Sequence, residues 1–390
     1  MKNTVIVVGA GPSGLSCACA LAQAGVEVLV IDAQTSEQLA HPQEDGRDIA
    51  MTHMSKAILT KLGVWQCFDS QDIHPLMHAE VSTQDFLPKL LFKRRDNSRE
   101  PLGFLVANHK IRQGLYQRAK SLEKIQFELG HAVEKVDTSK EAARVVLSNG
   151  QCISGPLLIA ADSRFSAIRR MLGIGASMTD YGRVMLVCNM RHTKPHQNTA
   201  RESFLYGKTC ATLPLAEGVS SVVITVPASV SKQLNEMSDE QFNQQATAMC
   251  GGKLGGMELI SKRFSYPLVG TYSNRFTAQR FALVGDAAVG MHPVTAHGYN
   301  LAVRSADTLT QFVKKALDES ADIGSDKMLR NYEIRHQLLA KPIYQGTNAV
   351  VKLFTNDHPV AKIARKAALI VGNKLPGFKQ SVVQRLIQTP

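Results

Sequence analysis

The sequence is short of the features that mark several large protein classes. Among its 390 residues there is one tryptophan, Trp65, and aromatic side chains make up 6%, too sparse to interleave with basic residues as nucleic-acid-binding surfaces do. No apolar run reaches the roughly 20 residues of a membrane-spanning helix. Seven cysteines, an odd number without paired spacing, argue against a disulfide framework or a zinc site. Cys17 and Cys19 fall within an expected helix, where small-residue packing explains them. There are no internal repeats and no low-complexity tracts, so neither a solenoid nor a compositionally biased tail is expected. Acidic residues are in deficit, 33 against 45 Lys and Arg, for a net charge of +12. Such a balance invites nucleic acid or an anionic lipid surface. With no zinc spacing and no basic helix-turn-helix pattern, nucleic acid is not expected as a partner. The chain enters a strand at Val5 without a leader-like stretch, so a reduced, cytoplasmic protein is expected.

Three separated stretches carry chemistry. VIVVGAGPSG at 5–14 begins as an unbroken apolar strand, the pattern of a parallel strand covered on both faces. Gly9, Gly11 and Gly14 complete Gly-x-Gly-x-x-Gly: one for a tight turn, one for close backbone approach to a pyrophosphate, one for helix-on-strand packing. Pro12 and Ser13 open a helix whose free N–H groups favour an anion. After Gly25, EVLVID at 27–32 reads as a second strand ending in Asp32, placed to accept hydrogen bonds from an adenosine ribose. This unit serves NAD and FAD equally well.

FALVGDAAVGMHPVTAHGYNLA at 281–302 separates them. Gly285-Asp286 at a strand end can hold a ribitol hydroxyl, and a glycine-bearing helix start at Gly298, Tyr299 and Asn300 can offer N–H groups to a flavin pyrimidine edge. The remaining stretch, LLIAADSRFSAIRR at 157–170, reads equally as a capped helix start or as a cofactor motif centred on Asp162.

Taken together, these stretches resemble the FAD-dependent aromatic hydroxylases, with para-hydroxybenzoate hydroxylase as prototype. The resemblance implies that Asp286 binds the ribitol, that Pro293 packs beside the isoalloxazine, and that Gly298 and Asn300 meet the flavin. It also places Arg47 in a mobile segment over the flavin, Arg112 on the FAD phosphates or ribose, and His292 and His297 near the ring. Arg47, His292, Pro293 and His297 are thus the candidate catalytic residues. The family's motif Gly-Ala-Asp-Gly-x-x-Ser-x-x-Arg keeps Asp162, Ser166 and Arg169 here, but its second glycine is Ser163. The finer pattern, GDAAVGMHPVTAHG with ADSRFS, is similar to the ubiquinone-biosynthesis hydroxylases, most of all the variant subgroup acting on 5-demethoxyubiquinol.

The implied fold is α/β: a Rossmann-like FAD-binding domain with an inserted mixed β-sheet substrate domain and a helical C-terminus. The expected divisions are 1–72, 101–178 and 270–330 for the FAD domain, 73–100 and 179–269 for the substrate sheet, and 331–390 for the helical region. The implied activity is hydroxylation of a prenylated phenol or quinol with O2 and NAD(P)H. FAD is expected to be noncovalent, since no His or Cys sits in a flavin-linkage motif. Without a second Gly-x-Gly-x-x-Gly, the nicotinamide is expected to bind transiently over the flavin. Two alternatives stay open at this level: a soluble hydroxylase of a small phenol or antibiotic, and a non-catalytic subunit of a ubiquinone-synthesis complex. The basic C-terminus bears on localisation. Val360, Ile363, Ala364, Ala367, Ala368 and Val371 share a helical face opposite Lys362, Arg365 and Lys366, a pattern that suits either peripheral docking on an anionic inner-membrane face or packing on the protein body.

Overall fold

The computed structural model describes residues 4–83, 86–93, 100–205 and 207–355. At its centre, six strands lie in the order Thr277–Ala278, Phe281–Leu283, Leu158–Ala160, Val5–Val8, Val28–Asp32 and Ile125–Leu129, parallel except for the first pair. Their unbroken apolar character has a simple cause. Val5, Val7, Val28 and Val30 pack into a helical layer, while Ile6, Val8, Leu29 and Ile31 pack against the opposite layer. That second layer includes an antiparallel sheet of Val133–Thr138, Ala143–Leu147 and Cys152–Gly155. Both faces of the central strands are therefore dry, and the charged residues of the sheet stand at a strand end, Asp32, or on the edge strand, Glu128.

On the helical side, Pro12–Gln23 packs against Asn108–Lys120 and Gly298–Asp318. Its buried residues are mostly small, including Ser16, Cys17, Ala18, Cys19 and Ala20, so neighbouring backbones come close. This bears out the packing reading of the two cysteines, both fully buried.

A second, nine-stranded sheet stands beside the first. Its order is Val289–Gly290, Phe264–Ser273, Ala176–His192, Val219–Pro227, Lys208–Pro214, Thr199–Leu205, His78–Thr83 and Phe86–Phe92, with Met257–Leu259 paired to the far end of 176–192. The sheet is mixed, because Thr199–Leu205 runs parallel to His78–Thr83 while the other pairs are antiparallel. Period-two alternation gives it two distinct faces. Leu186, Cys188, Cys210, Val222, Ile224 and Val226 look back into a core shared with Ala228–Glu236 and Asp239–Met249. Met185, Val187, Thr209, Ala211, Val223 and Thr225 look forward into a cavity.

Two of the expected divisions, 178/179 and 269/270, fall inside continuous strands, 176–192 and 264–273. The first of these strands carries a register shift between Asp180 and Val184, where Gly182 takes φ +62°. A bulge of this kind bends a strand without ending it, so one strand runs from beside the dinucleotide unit into the large sheet. Beyond the sheets, Asp326–Thr355 forms a long helix whose inner side buries Tyr332, His336, Ala340 and Tyr344. The basic amphipathic pattern at 360–371 lies outside the described residues. No helix among the described residues is long and apolar enough to cross a membrane.

Candidate active site

The three stretches are woven together by backbone pairing and by side-chain ties. Ala161 N–H donates to the Val8 carbonyl at 2.8 Å and Val284 N–H to the Ala160 carbonyl at 3.0 Å, bringing all three strand ends to one edge. Arg169, only 3% exposed, extends its guanidinium to the Ala287 carbonyl at 2.9 Å, tying the second stretch to the third. A Cβ on Gly285, which takes φ +61°, would stand 2.2 Å from the Ser13 hydroxyl. The turn before Asp286 therefore seats directly on the first helix. Gly14 serves the same end, since a Cβ there would lie 1.8 Å from the Gly9 carbonyl oxygen.

Where these edges meet, a cavity of about 1170 Å3 opens. Gly9, Gly11, Pro12, Ser13, Asp32, Arg47, Arg112, Asp162, Asp286, His292, Pro293, Gly298 and Tyr299 all reach its wall. Gly14, Gly285, His297 and Asn300 do not line it. A Cβ on Gly11 would meet no protein atom within 4 Å, so its bareness serves the cavity rather than the packing. The Asp32 carboxylate already accepts from the Ala10 N–H at 2.6 Å and the Gln34 N–H at 2.8 Å, which fixes its rotamer and leaves further lone pairs for a ribose. Arg112 donates to the Gln34 amide oxygen at 3.0 Å, beside that carboxylate.

The donor set fits an FAD. One Asp162 carboxylate oxygen accepts from the Ile168 N–H at 3.2 Å, while the other is buried without a hydrogen-bond partner, a costly state unless a ligand donor completes it. Asp286 lies further along the same wall. The sequence reading passed over its neighbour Arg164, whose guanidinium bonds the Asp286 carboxylate at 2.9 Å and the Val269 carbonyl at 2.9 Å. Gly290 makes room for it, as a Cβ there would stand 2.9 Å from the Arg164 Cβ. Asp286 thus keeps one oxygen committed to protein.

Ser163, where the family motif has glycine, takes φ +106°, a region that costs a side-chain-bearing residue energy. The glycine of the motif reflects this backbone demand. Here the strain is retained in a residue that lines the cavity.

Burial keeps His292 neutral. Desolvation first, then the nearby Arg164 charge, pushes its imidazole down to about 4. Its Nδ1 accepts the Val294 N–H at 3.2 Å, so the ring proton sits on Nε2, and Tyr181 meets the ring edge-on at 4.8 Å between centroids. His297 takes the N-cap position of Gly298–Asp318. Asn300 is a clamp rather than a wall residue. Its amide oxygen accepts from the Thr52 N–H at 2.9 Å and the Ser55 hydroxyl at 2.7 Å, and its amide nitrogen donates to the carbonyls of Ala50 and Ala296 at 2.8 and 2.7 Å. Tyr299 is half-buried, with its hydroxyl 3.3 Å from that of Ser16.

Arg47 pairs with Asp45 at 2.6 Å, and its guanidinium lies 5.3 Å from the centre of the Tyr266 ring. The Tyr266 hydroxyl donates to the Asp45 carbonyl and the Asn108 amide to the Asp45 carboxylate, each at 2.6 Å. Burial alone would raise the Asp45 carboxyl, but the bonds from Arg47 and Asn108 outweigh it and hold the group below its usual range. The 45–47 segment is thereby pinned between the large sheet and the start of Asn108–Lys120. Sequence reasoning missed Tyr181 and Tyr266, which stand on no recognisable motif, and it assigned no role to Asp45, Arg164 and Glu202, although these sit inside the DGRD, ADSRFS and RESFLYG runs.

Residues 2–347 match the family described as FAD binding domain. A ubiquinone hydroxylase, UbiM, of Neisseria meningitidis is 42% identical over 99% of this chain and 85% of its own. The 3-demethoxyubiquinol 3-hydroxylase of Escherichia coli is 24% identical, with 97% of each chain covered. Among solved structures, Pseudomonas aeruginosa PqsL in complex with 2-aminobenzoylacetate superposes with a TM-score of 0.78 at 17% identity, covering 95% of this chain and 100% of that one. That last likeness speaks for the fold.

Proposed function

From the premise that this chain belongs to the FAD-binding-domain family and is an FAD-dependent monooxygenase, we propose that it hydroxylates the aromatic ring of a prenylated ubiquinone precursor with O2 and NAD(P)H. The observation that carries the proposal is one continuous cavity, polar where it meets the three motif stretches and largely apolar where it meets the large sheet. At about 1170 Å3 it exceeds the roughly 300–1,000 Å3 of a site for one drug-sized ligand. It suits a dinucleotide with a second molecule beside it.

The polar half assigns itself by chemistry. The N–H groups at the start of Pro12–Gln23 face a pyrophosphate, Asp32 and Arg112 take the adenosine side, and Asp162 and Asp286 accept from hydroxyls of the ribityl chain. Gly298 and Pro293 border the flavin edge. When bound, FAD supplies the activation of O2 and the delivery of one oxygen atom to the ring. The protein's part is to position the ring and exclude water. Met185, Val187, Leu213 and Val223 make the sheet wall apolar, and Phe204, Val294 and Val351 continue it toward the long helix. A prenyl chain laid along that row would close the cavity behind the ring. The lining also favours a prenylated substrate over a small polar phenol, because the sheet wall carries few charges. Docking on an anionic membrane and membership of a ubiquinone-synthesis complex belong to the same proposal, since a polyprenylated ring resides in the bilayer.

The test is the quinone pool of cells lacking this chain. Mass spectrometry should find a prenylated precursor short of one or more ring oxygens, restored by the intact gene and not by an Asp286→Ala copy. An unchanged quinone pool would overturn the proposal.

A further inference from the structure

The large sheet sends two carboxyls to the cavity wall, Asp180 at the bulge of 176–192 and Glu202 among the mostly apolar side chains of its middle strands. On Thr199–Leu205 the alternation turns Glu202 and Phe204 toward the cavity, while Arg201 and Ser203 face away, the latter 3.1 Å from the Ser82 hydroxyl. Register then fixes the company of Glu202. Its cross-strand row is Ala211, Val223 and Val187, and the next row is Phe204, Thr209, Thr225 and Met185. Ala211 beside it leaves space above the carboxyl. Among the described residues no cation stands against it, and its one hydrogen-bonding neighbour is the Thr209 hydroxyl. Cys210 lies behind the sheet, and the other ionisable groups on the cavity wall include Asp48, Arg183, Tyr266, His292 and Lys352.

A buried carboxyl with one hydroxyl neighbour and no cation, set among apolar side chains, is costly, and neither the fold nor the FAD motifs call for it. Resting on the substrate reading above, we propose that Glu202 is a catalytic residue that receives the ring hydroxyl of the substrate and takes its proton during hydroxylation. As the ring carbon forms its bond to one atom of the activated O2 and the O–O bond breaks, the ring O–H bond breaks as well and its proton passes to the Glu202 carboxylate. The O–H electron pair becomes a ring C=O. The newly oxygenated carbon then loses its hydrogen as a proton to water, the C–H electron pair restores the aromatic ring, and Glu202 returns its proton to the carbonyl oxygen. The second atom of O2 leaves as water, with two electrons from the nicotinamide. Burial pushes the Glu202 carboxyl up to about 7, against a lesser downward pull from Thr209, which suits a group that must both take and return a proton near neutrality.

The test uses FAD-loaded enzyme and a short-chain prenylated phenol, following hydroxylated product across pH. Wild-type kcat should fall on the acid side of about pH 7. Glu202→Gln should lower kcat at least tenfold at pH 8 and abolish that acid limb, with KM changed less than threefold. Thr209→Val removes the hydroxyl that holds the carboxyl down, so its acid limb should move to higher pH. This second variant decides the matter if the Gln variant does not fold. A Glu202→Gln enzyme within twofold of wild type, or a Thr209→Val limb that stays in place, would overturn the role of Glu202. If wild type instead turns over only unprenylated phenols and Glu202→Gln still loses its acid limb, the substrate reading fails while Glu202 stands.

Discussion

At the scale of single residues, Ser163 is the clearest departure from its motif. Its φ of +106° is a conformation that glycine adopts freely and a side chain does not, at a cost of about 1–3 kcal/mol. Glycine in turn loses more entropy on folding, by roughly 0.5–1 kcal/mol. Ser163→Gly should therefore stabilise the protein by about 1 kcal/mol, read as a higher Tm. A lower Tm would mean that the serine hydroxyl makes a bond worth more than the strain. Asp286 supplies the opposite case. On the proposed placement of FAD, Asp286→Ala removes an acceptor for a ribityl hydroxyl and leaves Arg164, which bonds Asp286 and the Val269 carbonyl, with only the latter of the two, so FAD binding should weaken by about 1–3 kcal/mol. Fluorescence titration of the apoprotein with FAD measures this directly, and an unchanged Kd would show that the cofactor lies elsewhere.

At the scale of elements, Asn300 joins the start of Gly298–Asp318 to the 50–55 segment through four hydrogen bonds. Asn300→Ala would leave a buried Thr52 N–H and two carbonyls unpaired, for a loss of about 2 kcal/mol or more. The midpoint of urea unfolding should drop accordingly; a midpoint within error of wild type would deny the clamp. The motif position of Asn300 marks a helix start expected to meet the flavin, but it does not show what the side chain touches, and the clamp was not legible from it. Elements with a strict local code were legible: the glycine turn with its flanking strands, and the Gly-Asp strand end. The large sheet was legible as alternating strands, but its order was not. Pairing such as Thr199–Leu205 with His78–Thr83 depends on contacts more than 100 positions apart, for which no local pattern exists. Glu202 was hidden for that reason. Its meaning comes from the row of Ala211, Val223 and Val187 beside it.

At the scale of the whole molecule, two buried histidines make the fold sensitive to acid. His336, 1% exposed, stacks on Tyr332 and lies against Phe276, and burial pushes it down to about 3. His292 is held near 4 in the cavity wall. Unfolded, both titrate near 6.5, so between those values the unfolded chain binds more protons than the folded one. The stability they contribute is fully present above about pH 6.5 and is lost as pH falls toward 4 and 3, to the extent of several kcal/mol at roughly 1.4 kcal/mol per pH unit per group. His336→Leu should make urea stability fall less steeply between pH 6.5 and 4.5. An unaltered slope would place the acid sensitivity elsewhere.

Purified FAD-loaded protein, given NAD(P)H, 18O2 and a short-chain prenylated phenol or quinol, should yield a ring product heavier by one 18O atom. The yield per nicotinamide oxidised should exceed that with the same ring lacking its prenyl chain, because the chain seals the cavity against water. Nicotinamide oxidation that gives only hydrogen peroxide, or 18O incorporation equally efficient without the prenyl chain, would contradict the claim that this cavity is built for a prenylated ring.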